Sequence, residues 1–186
     1  MSTILTTALM GFFVWSGVGQ TGPVTTPAII EIPEGPSYNV WMTAYNAVPE
    51  QTDSDPFTTA SGAFSNPEVV AARSVDLAGT LPFGTVIAVT RVGASTSCGY
   101  PVASEFIGFR VIADSMHPRK RNQIDILLDH GIQVQVGEKT MNPAVAMGIC
   151  KDVEIRVIGK IDVKNIPATQ AELKTIIGKS QLAVNQ

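Results

Sequence analysis

From position 38 to about 163, apolar residues come in short runs, several alternating with polar ones, and turn-forming residues close each run. A period of two places every second side chain on one face of an extended strand. The runs Tyr38–Tyr45, Val69–Ser74, Val86–Val92, Phe109–Asp114, Gln123–Leu128 and Val153–Ile161 are therefore predicted as strands, each rich in Val, Ile, Thr or aromatics. Pro82-Phe83-Gly84, Gly99-Tyr100-Pro101 and Asn142-Pro143 punctuate them. Many short strands with little helix between them predict a mainly β fold, either sandwich or barrel. Two helical stretches are expected. Met141–Gly148 reads as a single turn or short helix. Thr169–Ile177 reads as a helix with Thr169 as N-cap and Glu172 at capping-box spacing, ending at Gly178 with a frayed tail after it. No internal repeat is found.

The beginning of the chain has a different pattern. No charged side chain occurs before Glu31, and Ile4 to Val18 is almost continuously apolar. That run is short for a membrane span, which needs about 20 apolar residues, and suits the core of a secretion signal. Residues 1–19 are thus expected to be a signal peptide or a membrane anchor, although no Lys or Arg precedes the run. Residues 20–37 carry Pro23, Pro27, Pro33 and Pro36 among Gly, Thr and Ser, which reads as an extended linker. The domain proper spans 38–163, and 164–186 is the C-terminal helix and tail.

Composition narrows the function classes. A chain of 186 residues with 45% hydrophobic content can bury one ordinary core. A formal net charge of -3 gives no electrostatic reason to expect nucleic acid as a partner. The short basic cluster Arg119-Lys120-Arg121 reads as a solvated turn. Two cysteines, Cys98 and Cys150, make no Cys-x-x-Cys metal framework, and no metal or other cofactor is expected. If the chain is exported, one disulfide between them is the natural pairing, closing a loop of about fifty residues for about 3–5 kcal/mol. Asp53 and Asp55 lack the later ligands of a calcium loop and read as turn formers. His117 and His130 sit in no recognisable nucleophile motif.

Three aspartates carry the candidate chemistry. Asp125 lies between Ile124 and Ile126, so in an alternating strand it faces away from the two isoleucines. A carboxylate there is costly unless it meets solvent, a partner or a site. Asp114 ends an apolar strand, and ten residues separate it from Asp125. Asp76 precedes the turn Gly79-Thr80-Leu81-Pro82-Phe83-Gly84, where an aspartate also serves as a turn cap.

Taken in order, the segments form a pattern: Thr43-Ala44-Tyr45, then Thr59-Ala60-Ser61-Gly62, then Val75-Asp76 leading to Leu81-Pro82-Phe83-Gly84-Thr85, then Ala113-Asp114, then Asn122-Gln123-Ile124-Asp125. This series, from Met42 through Leu128, resembles the three-aspartate (3D) domain of membrane-bound lytic transglycosylase A and of spore and resuscitation-related wall enzymes. The resemblance implies a six-stranded double-psi β-barrel with the aspartates grouped in a groove. It implies cleavage of the β-1,4 bond between N-acetylmuramic acid and N-acetylglucosamine in peptidoglycan, by lytic transglycosylation or hydrolysis, in the cell envelope or outside the cell. Asp125 takes the general-acid position, with Asp114 and Asp76 raising its pKa, orienting it or stabilising oxocarbenium character. Tyr45, Thr59, Ser61, Lys120 and Asn122 would bind the glycan. Met116-His117 stands where the family has Gly-Gly, and an insertion over Ala94–Phe106 carries Cys98. Those departures keep a second class open, a non-catalytic glycan-binding module of expansin-like type. Membrane attachment would fall to the N-terminal apolar segment.

Overall fold

The computed structural model describes residues 35–52, 55–93 and 98–184, with side chains through 179. The expected signal or anchor and most of the linker lie outside these residues. Each of the six expected strands forms: β1 (Ser37–Tyr45), β2 (Val70–Arg73), β3 (Thr85–Arg91), β4 (Phe109–Ser115), β5 (Gln123–Leu127) and, after a small hairpin, β8 (Cys150–Lys160). They close into a barrel in the order β1-β5-β2-β4-β3-β8. Two pairs are parallel, β1 with β5 and β2 with β4, and the other four are antiparallel. Closure leaves no open edge in this sheet.

Alternation along the strands feeds two apolar clusters. Ala71, Ile87, Ile112, Ile124 and Ile126 enter one, with Met147 of α2 (Pro143–Met147). Their neighbours Val70, Ala72, Val86, Val111 and Leu127 enter the other. Helix α3 (Gln170–Val184) covers this second cluster with Leu173 and Ile177, so the C-terminal segment belongs to the barrel's compact unit. The expected capping box is present and reciprocal. Glu172 N–H donates to Thr169 Oγ1 at 3.2 Å, and Thr169 N–H donates back to Glu172 Oε2 at 3.3 Å. The helix does not stop at Gly178 as expected. It runs through that residue to Val184, because glycine only lowers helix propensity and no proline follows.

Two further elements carry no sequence signal strong enough to predict. The hairpin β6 (Val134–Val136) and β7 (Lys139–Met141) is largely exposed on both faces and so shows no buried alternation. The short helix α1 (Tyr100–Ala103) lies in the inserted segment, and Cys98 beside it is bonded to Cys150 at the start of β8.

Arg110 of β4 is fully buried and forms no salt bridge among the described residues; it donates instead to the backbone carbonyls of Phe106, Ile107, Pro67, Val70 and Leu127. Burial lowers its pKa, the nearby Glu68 charge opposes this, and the carbonyls solvate the guanidinium. The guanidinium thereby ties β2, β4 and β5 together. Gly84 explains a glycine of the motif. Its φ of 87° is left-handed, and a Cβ there would stand 2.2 Å from the Ile161 carbonyl oxygen.

Candidate active site

Cross-strand register brings two of the three aspartates together. Ala72 in the middle of β2 pairs with Asp125 of β5 on one side and with Asp114 of β4 on the other, and Asp125 in turn pairs with Thr43 of β1. One row thus reads Thr43, Asp125, Ala72, Asp114 across four strands. A β-bulge makes this row. Ala71 pairs with Ile112, but Ala72 pairs with Asp114, leaving Ala113 as the extra residue on β4. Without that step Asp114 would face the opposite side of the sheet from Asp125. Ala113 keeps its carbonyl satisfied by the Ser61 N–H at 3.1 Å. The two aspartates stand two strand spacings apart, about 10 Å between Cα positions. Ala72 is the residue between them in the row.

Both carboxylates line a cleft of about 670 Å3, together with Tyr45, Ala72, Met116, His117 and Lys120. Their environments differ. Asp114 accepts three hydrogen bonds: from Tyr45 OH at 2.9 Å, Ala60 N–H at 2.8 Å and Ser115 N–H at 2.8 Å. Asp125 accepts one from the Thr43 hydroxyl at 2.7 Å. Gln123 Nε2 donates to the same Thr43 oxygen at 2.8 Å, so the hydroxyl proton is left pointing at Asp125. Burial pushes the Asp125 carboxyl up to about 6; the Thr43 hydrogen bond and the Lys120 charge oppose this, and the nearby Asp114 charge adds to it. Tyr45 is raised well above its usual range, by burial first and by Asp114 next, and stays a donor.

Asp76 stands apart. It is exposed in a single 3-10 turn, Val75–Leu77, and is not among the residues lining the cleft. Its carboxylate accepts the Asn122 N–H at 2.9 Å. A hydrogen bond from the Ser74 side chain, then that backbone contact, hold it below the usual carboxylate range. Asn122 has a φ of 47° and donates from its amide to Asn39 O at 3.2 Å. Together they shape the turn into β5.

The expected binding residues divide in the same way. Tyr45 and Lys120 line the cleft. Thr59 is buried and braces its own turn through Ala63 and Ser61, which aims the Ala60 N–H at Asp114. Ser61 faces a neighbouring cleft. Sequence reasoning missed Thr43, Gln123 and Ala72. The first two sit in motif strands and carried a signal; the register that makes Ala72 the spacer did not show in the residue order. His117 lines the cleft and accepts the Arg119 N–H at its Nδ1, 3.2 Å away. Asp55 accepts the Phe57 N–H at 3.1 Å, as a turn former does. Among the described residues no three His, Cys, Asp or Glu side chains converge as metal ligands would.

The fold and the cleft define a closed six-stranded β-barrel protein with an unequal pair of aspartates. A scan against protein-family models finds no match to this chain, and a search of curated proteins finds none either.

Proposed function

We propose that the cleft cleaves glycan strands of peptidoglycan, with Asp125 as the general acid. The observation that carries this reading is the pairing of a carboxyl pushed up to about 6 with a second, multiply hydrogen-bonded carboxylate across an alanine. The likeness of the ordered motifs to the three-aspartate domain supplies the substrate class, and a double-psi arrangement of the barrel belongs to the same proposal. A general acid works best when its pKa lies near the working pH. Asp125 delivers its proton to the glycosidic oxygen as the C1–O bond breaks. Asp114, held by three donors, faces the positive charge that develops on the sugar. The Asp125 carboxylate then takes the proton of the same sugar's C6 hydroxyl as O6 bonds to C1, giving a 1,6-anhydro end; attack by water instead gives a reducing end.

The motif likeness and the disulfide also support an exported protein acting in the cell envelope. Among the described residues no helix is long and apolar enough to cross a membrane. The direct test is digestion of purified sacculi by the chain lacking residues 1–34. Release of muropeptides with anhydro ends supports transglycosylation, and reducing ends support hydrolysis.

Met116 and His117 on the cleft wall favour a second reading, a glycan binder without turnover. Co-sedimentation with sacculi, unchanged by Asp125→Asn and without product, would decide for it.

A further inference from the structure

The hairpin over residues 57–65 separates the aspartate cleft from a second one of about 460 Å3. Ser61, Phe64 and Asn66 wall it on the hairpin side, with Lys164 and Ile166 from the segment after β8 opposite. The Asn66 amide donates to Ala168 O at 2.9 Å and so holds the two walls together. Phe64 is 66% exposed and Phe57 on the same hairpin is 64% exposed. Leaving a phenylalanine in water forgoes about 1.5–3 kcal/mol of burial, so two on one short hairpin point to an occupant.

The hairpin is held firmly. Thr59 N–H bonds Ala63 O at 2.8 Å, Ser65 N–H bonds Phe57 O at 2.9 Å, and Ser61 N–H anchors the tip to Ala113 of β4. Consecutive residues serve the two clefts: Ala60 donates to Asp114, and Ser61 lines the second cleft. A strand bound at the aspartates therefore needs to pass only this ridge to reach the second cleft.

Resting on the function proposed above, we infer that the second cleft binds further sugars of the same glycan strand, away from the scissile bond. Phe64 stacks on the apolar C–H face of a pyranose ring. The exposed Lys164 pairs with a carboxylate of the stem peptide, which the lactyl group of N-acetylmuramic acid carries and N-acetylglucosamine lacks. A ring preorganised on a rigid turn binds with little loss of side-chain entropy.

The experiment uses the full chain carrying Asp125→Asn, so that binding is read without turnover. The probes are sacculi and the β-1,4-linked dimer and hexamer of N-acetylglucosamine. Adding Phe57→Ala and Phe64→Ala should weaken the hexamer roughly tenfold and leave the dimer unchanged. Phe64→Trp alone should preserve hexamer binding, and Lys164→Ala should reduce retention on sacculi but not on the hexamer. Equal hexamer affinity with and without the two phenylalanines overturns the inference, as does equal weakening of dimer and hexamer, or binding of sacculi but of neither oligomer. Failure of the parent chain to turn over sacculi, with hexamer binding still dependent on the phenylalanines, overturns the catalytic reading alone.

Discussion

Asp125 is the residue whose protonation links stability to the proposed activity. Its folded pKa of about 6 lies above the unfolded value, about 3.9, so the folded state holds the proton where the unfolded chain has lost it. The contribution of this group is therefore favourable below about pH 4 and is lost as the pH rises through about 6. Asp125→Asn should raise stability at pH 7 by on the order of 1–3 kcal/mol, and thermal melts of the two proteins should converge near pH 4. Asp114→Asn removes the charge that helps to raise Asp125. The limb on which turnover falls with rising pH should then move to lower pH, and an unmoved limb would deny the coupling. Asp76→Asn keeps an oxygen for the Asn122 N–H. It should lower thermal stability slightly and leave turnover nearly intact. Loss of turnover equal to that of Asp125→Asn would return Asp76 to the site.

At the scale of elements, each barrel strand is legible in the sequence because alternation with buried Val, Ile and Ala marks it. The hairpin β6–β7 is not, since neither face is buried. The bulge at Ala113 is the feature that matters most for the site, and the residue order does not announce it. The motif shows three aspartates alike, whereas the pairing of β2 with both β4 and β5 selects two of them. A buried arginine among carbonyls is likewise invisible, because Arg110 in Phe109–Asp114 reads as an ordinary outward polar position. Arg110→Met should cost at least about 3 kcal/mol by chemical denaturation, since five backbone carbonyls lose a charged donor. A cost below 1 kcal/mol, on the order of a surface substitution, would contradict that role.

For the whole molecule, the barrel supplies closure and the Cys98–Cys150 bond fastens the inserted segment to it. The bond spans 52 residues, and cross-linking a loop of that length stabilises by about 3–5 kcal/mol in the chain-entropy model. Reduction should lower the melting temperature measurably, and two freely titratable thiols in the native protein would contradict the bond. The barrel in turn holds Thr43, Asp125, Ala72 and Asp114 in one row, and the claim that this row is a glycan-cleaving centre depends on a titrating Asp125. The most direct test is the pH dependence of kcat/KM for muropeptide release from sacculi, measured on the natural chain and on Asp125→Asn. The natural chain should lose activity as the pH rises through about 6, and the variant should fall by at least about 100-fold at every pH while its circular dichroism is unchanged. Turnover that survives Asp125→Asn with the same pH profile would contradict the assignment.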